Sequence, residues 1–109
     1  MNLFTDIHQD LNLPEELIET LAESQNVRIE RIVSTGHSSP PGFWYDQTEY
    51  EWVVVLRGYA ILEFEDRKQD LAVGDYILIP PQTKHRVFAT INSCPTVWLA
   101  VFFQGSDPP

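Results

Sequence analysis

Two apolar segments bounded by glycine constrain the fold of this chain more than any other feature of its sequence. The first segment runs from Glu51 to Gly58, and the second runs from Gly74 to His85. Both are rich in β-branched and aromatic residues, which favour strands, whereas glycine favours the turns between strands. The pattern predicts two strands that carry a carboxylate and an imidazole at their ends. Such residues are typical of a metal site or of an acid–base pair.

Length and charge exclude several classes of protein. The chain has 109 residues, which fits one domain, and a net charge of −9. Nucleic acids and anionic membrane surfaces attract basic proteins, so we expect neither as a partner. No apolar run approaches the ~20 residues that span a bilayer, and the first residues are too polar for a signal peptide. We therefore predict a cytoplasmic protein, and the single cysteine, Cys94, agrees with a reducing compartment.

The N-terminal extension, residues 1–26, contains an apolar stripe at helical spacing. Leu17, Ile18 and Leu21 form the stripe, after a proline that suits the first position of a helix and two glutamates that suit its first turn. The pattern predicts a short α-helix over about residues 14–24.

The spacing of apolar residues changes to the period of two that is typical of strands from residue 27 onward. Short strands separated by glycine and proline indicate a sandwich or a barrel, here over residues 27–103, followed by a polar tail at 104–109. A charged turn is expected at 66–69. The predicted strands are 27–33, 52–56, 59–64, one strand or two short ones over 71–79 broken near Gly74, 85–90 and 97–103.

An all-β domain of this size must protect its sheet edges, either by closing into a barrel or by pairing with a second chain. We therefore expect a homodimer, with Val27 to Val33 at the contact between the two copies.

The chain resembles the cupin family of small jelly-roll barrels over about residues 27–103. Glu51 and Gly58 fit the end of the first cupin motif, and Gly74, Pro80 and His85 fit the second motif with the right spacing. The resemblance implies an all-β fold, a double-stranded β-helix, in which the glutamate and the histidine converge inside the barrel.

The sequence departs from the cupin pattern at the residues that matter most for metal binding. The two histidines of the first motif are missing: Tyr45 and Gln47 stand in their places, or Trp44 and Asp46 if the gap to the glutamate is one residue longer. Gln82 replaces the inner glycine of the second motif.

Alternation along a strand puts Gln47 on the same face as Glu51, and the resemblance brings His85 to meet them. These three side chains are our candidate ligands for one divalent metal ion. A ligand set with two oxygens and one nitrogen suits Mn, Fe, Ni or Zn. Open positions on the ion would then accept water or a small-molecule substrate.

Other residues near this set remain open as alternatives. Asp46 or Glu49 would replace Gln47 as a ligand, and His37, in a proline-rich loop, would add a second imidazole. Phe43 and Tyr45 share the face of the proposed ligands, and we expect them to line a pocket for a small ring or acyl group.

Three kinds of function agree with these residues. The first is a metal-dependent enzyme acting on a small molecule, and the residues do not indicate the reaction class. The second is a metal-free cupin that binds a ligand or serves as a sensor, which the missing histidines favour. The third is a dimeric scaffold with an empty barrel.

Overall fold

The computed structural model describes residues 1–105, and all of its regular elements are strands. The expectation of an all-β fold is therefore confirmed. The eight strands are β1 (Leu17–Glu23), β2 (Val27–Ser34), β3 (Tyr50–Arg57), β4 (Ala60–Phe64), β5 (Lys68–Leu71), β6 (Tyr76–Ile79), β7 (His85–Thr90) and β8 (Thr96–Phe103).

The strands form two antiparallel sheets that pack face to face. The larger sheet has the order β1-β2-β8-β3-β6, and the smaller sheet has the order β5-β4-β7. Alternating residues of β8, namely Trp98, Ala100 and Phe102, point inward and join Leu62 and Phe64 of β4 in one buried cluster. This cluster forms the core between the two sheets.

The outer face of the larger sheet is covered by the first residues of the chain. Ile7 packs against Val33 and Val97 in a second apolar cluster. Arg31 is only 8% exposed, and its guanidinium donates hydrogen bonds to the carbonyl oxygens of Leu3 and Thr5. The N-terminal segment therefore acts as a further layer on the sheet.

The helix predicted over residues 14–24 is wrong, because this segment forms β1. A helix of about this length is marginal on its own in water, whereas β2 offers a complete set of backbone partners. Cross-strand pairs support the strand: Ile18 faces Ile32, and the carboxylate of Glu19 forms an ion pair with Arg31. The three residues of the supposed apolar stripe stay exposed.

The other predicted strands correspond to strands of the structure. The segment 71–79 is divided at Gly74 as expected, except that β5 begins at Lys68, inside the predicted charged turn. Since β2 pairs with both β1 and β8, Val27 to Val33 offers no free sheet edge to a second copy. Of the predicted tail, residues 106–109 lie outside the described residues. No helix in the part of the chain from 1 to 105 could cross a membrane.

We predict that Gly58→Ala will destabilise the fold strongly. Gly58 has a φ of +89°, and a Cβ there would lie 2.7 Å from the Cα of Thr96. Gly74 has the same φ of +89° but open space around it, so Gly74→Ala is a matched control for backbone strain alone. In chemical denaturation, we expect Gly74→Ala to cost about 1–2 kcal/mol and Gly58→Ala clearly more. Equal losses of stability in the two variants would contradict a steric clash between the new Cβ at position 58 and Thr96.

Candidate functional site

The candidate site is a cavity of about 220 Å³ between the two sheets. Its apolar walls come from inward-facing positions of β3, β4, β6 and β8, including Val53, Leu62, Ile79 and Trp98. Polar side chains line it from β2, β3 and β7 and from the segments that precede β1 and β3. The volume is suited to a small molecule.

Glu51 is the carboxylate that enters this cavity from β3. It lies between Phe102 of β8 and Ile79 of β6 in the sheet register, so its side chain points inward with theirs. The side chain is 12% exposed. The side chain of Glu51 therefore points into the barrel, as the resemblance implied.

His85 begins β7 and is 4% exposed. Its Nδ1 lies 2.8 Å from the carbonyl oxygen of Thr83, which can only accept, so Nδ1 carries the proton. Its Nε2 then faces Oε1 of Glu51 at 3.3 Å. Backbone hydrogen bonds in both directions between His85 and Tyr45, of 2.7 and 3.1 Å, hold this segment in place. The fold thus fixes which imidazole nitrogen is presented to the cavity.

The pKa of His85 is raised above its ordinary value of 6.5. Burial, the largest single influence, acts to lower the pKa, because it disfavours the charged ring. The hydrogen bonds to Glu51 and to Thr83, together with the negative charges of Glu51 and Asp46, outweigh that effect. In the metal-free protein, the imidazole of His85 therefore stays protonated to a higher pH than an isolated histidine would.

Gln47 reaches the same carboxylate. Its Nε2 donates to Oε1 of Glu51 at 3.2 Å, and its backbone carbonyl accepts a hydrogen bond of 2.6 Å from the amide of Gln82. Gln82 has a φ of +56°, the left-handed conformation that favours glycine. The turn therefore keeps the backbone shape of the cupin motif, although a glutamine occupies the glycine position.

The spacing of two donors at this point, Nε2 of His85 and Oε1 of Glu51, agrees with what one divalent ion requires. The 3.3 Å between Nε2 of His85 and Oε1 of Glu51 is close to the ~3.4 Å between two ligands of a tetrahedral ion with bonds of about 2.1 Å. A half-turn of the Gln47 amide would present its oxygen in place of its nitrogen. Within residues 1–105, no group of three or more His, Cys, Asp or Glu side chains is placed to hold a metal.

The alternative ligands lie elsewhere. Glu49 contacts Arg28 at 3.3 and 3.4 Å, and Asp46 acts on the imidazole only through its charge. His37 accepts a hydrogen bond at Nδ1 from the amide of Thr35 and lines a neighbouring depression.

The two aromatic candidates are placed differently from each other. Tyr45 lines the cavity and stacks on the ring of His85 at a centroid distance of 5.5 Å. Phe43 packs edge-on against Tyr45 at 4.8 Å, is 43% exposed and does not line the cavity.

Sequence reasoning missed three charged residues that line the cavity: Glu16, Arg28 and Glu30. Arg28 and Glu30 share the inward face of β2 with Ile32, and a hydrogen bond of 2.8 Å joins them. The signal was present, because charges at alternate positions of a strand share one face. Glu16 accepts a hydrogen bond from Ser34, and no sequence pattern indicated that it would reach the barrel.

Comparison with known families decides the identity of the fold. Residues 31–102 match the cupin domain family. The chain belongs to the cupin family. A comparison with curated protein sequences found no match.

Solved structures of other cupins agree with this assignment. A protein from Ralstonia eutropha JMP134, named a "putative mannose-6-phosphate isomerase", is 41% identical to this cupin; the match covers 96% of this chain and 97% of that one, with a TM-score of 0.91. A cupin superfamily protein from Desulfitobacterium hafniense DCB-2 is 22% identical over 87% of this chain and 83% of its own, with a TM-score of 0.74. A double-stranded β-helix protein from Methanocaldococcus jannaschii is 20% identical over 90% and 88%, with a TM-score of 0.70.

We predict that Glu51→Gln will lower the pKa of His85 in the metal-free cupin. The substitution removes the carboxylate charge that stabilises the imidazolium, while burial remains. Titration of the ring protons by NMR measures the pKa. Glu65→Gln, which removes a charge from an exposed position, is the control and should leave the pKa of His85 unchanged.

The same interaction should make stability depend on pH. The folded protein holds the His85 proton more tightly than the unfolded chain, because the folded-state pKa is raised. The stabilisation is therefore complete below pH 6.5 and is lost as the pH rises through the folded-state pKa. Denaturation of metal-free protein across this window should show a smaller pH dependence for Glu51→Gln than for the natural sequence; identical curves would contradict the pairing.

Proposed function

We propose that this cupin binds one divalent metal ion through Gln47, Glu51 and His85, takes a small molecule into the cavity beside the ion, and acts as a metal-dependent enzyme. The observation that carries the proposal is the buried imidazole of His85. Its Nδ1 is committed to the carbonyl of Thr83, so Nε2 is available inside the cavity, 3.3 Å from the Glu51 carboxylate. Metal-binding histidines commonly have this arrangement.

The chain's own residues would bind and orient the small molecule. The metal, when bound, would polarise a substrate oxygen. Leu62 and Trp98 belong to the apolar wall, against which an apolar part of the molecule would pack. Burial and the charges of nearby glutamates raise the pKa of Tyr45, so its hydroxyl stays protonated and can donate a hydrogen bond to a ligand.

The name of the Ralstonia relative suggests an isomerisation of a hydroxy-carbonyl compound as the reaction class. Such a reaction moves a proton between neighbouring carbons, which needs an acid–base group and a polarised oxygen. Glu16 and Glu30 are the cavity carboxylates outside the proposed metal set, so they are our candidates for moving that proton.

A metal-free ligand-binding cupin is the second candidate. It is supported by the ion pair between His85 and Glu51, which satisfies both groups without a metal, and by the presence of only two strongly binding donors at this point of the described chain. Such a protein would retain ligand binding after complete removal of metal.

Metal analysis of protein purified without an affinity tag tests the first proposal. We expect close to one ion per chain after loading with Mn, Fe, Ni or Zn, loss of binding in His85→Ala and Glu51→Gln, and about tenfold weaker binding in Gln47→Ala, which removes only a neutral ligand. His37→Ala is the matched control and should bind normally. A content below about a tenth of an ion per chain, not restored by any of these metals, would contradict the metal site.

We also propose that the chain forms a homodimer. β1 is at one edge of the larger sheet and carries the exposed side chains of Leu17, Ile18 and Leu21. Ile18 also lines the cavity, so a second copy at this edge would cover part of its opening. Light scattering at micromolar concentration should give twice the mass of one chain; the mass of one chain would rule the dimer out.

A further inference from the structure

We infer that the ligand of this cavity carries a protonated amine, and that phosphorylated compounds are poor ligands. The inference deepens the proposed function, because it rests on the same cavity being the binding site. Glu16 and Glu30 line the cavity, and Glu49 contacts the same Arg28 as Glu30; we call these three carboxylates the acidic rim. Their charges, rather than the interior set at Glu51 and His85, determine which ligand charge is accepted.

The acidic rim is not neutralised by the single cation beside it. Arg28 uses its Nε on Glu30 at 2.8 Å and its terminal nitrogens on Glu49 at 3.3 and 3.4 Å. Three carboxylates against one guanidinium leave an excess of negative charge. A phosphate at this point would have to displace a carboxylate from Arg28 and would still meet the others.

Glu30 and Glu16 are both held in place at the cavity. The side chain of Glu30 is only 13% exposed and is fixed by Arg28 at 2.8 Å, so solvent screens its charge weakly. Glu16 reaches the cavity from the segment before β1, and its carboxylate accepts a hydrogen bond of 2.8 Å from the hydroxyl of Ser34. A ligand ammonium in the cavity would be attracted by both charges.

An aromatic wall adds a second attraction for a cation. Tyr45, Trp98 and Phe102 line the cavity, and the guanidinium of Arg28 already sits over the ring of Phe102 at 4.4 Å. Faces of aromatic rings attract cations and repel anions. The aromatic wall and the acidic rim therefore both favour a positively charged ligand.

The sheet register sets the distance between the two ends of such a ligand. Arg28, Phe102 and Glu51 are neighbours in one row across β2, β8 and β3. Two strand spacings make about 10 Å between the backbone positions of Arg28 and Glu51, and the side chains shorten the gap. A molecule the size of an amino sugar or amino alcohol can place an oxygen near Glu51 and its ammonium at the acidic rim.

Three probes that share one sugar ring test the inference: mannose, mannosamine and mannose 6-phosphate, measured by calorimetry on metal-loaded protein at pH 7. We expect mannosamine to bind at least tenfold more tightly than mannose, and mannose 6-phosphate to bind most weakly. The advantage of the amine should shrink as salt is raised from about 20 to about 300 mM, since screening weakens attraction at an open rim. Tightest binding by mannose 6-phosphate would overturn the inference.

Charge-removing variants identify the source of the selectivity. Glu16→Gln and Glu30→Gln, made as single variants, should each reduce the preference for the amine severalfold. Glu16→Gln keeps a side-chain oxygen that can accept the hydrogen bond from Ser34, so it removes only the charge. Glu65→Gln removes an equal charge outside the cavity and should leave the preference unchanged. An equal loss in all three variants would show a general charge effect and would overturn the role of the acidic rim.

A second measurement needs no bound ligand. Cationic and anionic nitroxide cosolutes of the same size report the local potential through the relaxation of exposed protons on Tyr45 and Ile18. We expect the cationic nitroxide to relax these protons faster, and the reverse order would overturn the inference even if no sugar binds. If the protein binds no metal but still prefers the cationic probe, only the proposed metal site is contradicted. If the protein binds metal but prefers the phosphorylated sugar, only this inference is contradicted.

Discussion

The site depends on a short antiparallel contact between the segment before β3 and the start of β7. Tyr45 and His85 exchange two backbone hydrogen bonds, and Gln47 and Gln82 share another. These bonds hold an otherwise irregular stretch against the barrel, because an isolated loop could not satisfy its own polar groups. The same bonds bring the ring of Tyr45 onto the imidazole of His85 and the amide of Gln47 to the carboxylate of Glu51.

This contact explains how a cupin can lose both histidines of its first motif and still keep an organised cavity. Tyr45 offers a flat ring that stacks on His85, while Gln47 offers an amide that meets Glu51. Tyr45 therefore acts as a packing residue, and Gln47 as a hydrogen-bonding residue, beside the pair of Glu51 and His85. A site of this kind is more open to polar organic ligands than a site crowded by three imidazoles.

Spacing predicted most of the fold, because glycines and prolines mark turns that only certain residues can make. The register of Glu51, Gly58, Gly74, Pro80 and His85 was sufficient to place two strands, a carboxylate and an imidazole. Alternation was less informative before β3, where the chain is not a continuous strand and Glu49 turns away toward Arg28.

The failures of prediction have a common physical origin. Leu17 to Glu23 has the pattern of a helix, yet its state is decided by β2, the next strand in the chain, which supplies the backbone bonds. Arg28 and Glu30 were read only as part of a strand, because their role depends on which face of β2 turns toward the cavity. The alternation of Arg28 and Glu30 shows that they share a face, but not that this face is the one turned toward the cavity.

The hydrogen bond that orients His85 does not depend on the identity of the residue that accepts it. Its acceptor is the main-chain oxygen of Thr83, which every amino acid possesses. A point mutation at position 83 that preserves the turn leaves the acceptor in place, so the imidazole tautomer is encoded by loop length and shape rather than by a residue type. Insertions and deletions between Pro80 and His85, not substitutions, are therefore the changes by which evolution could most easily release this histidine from its present role.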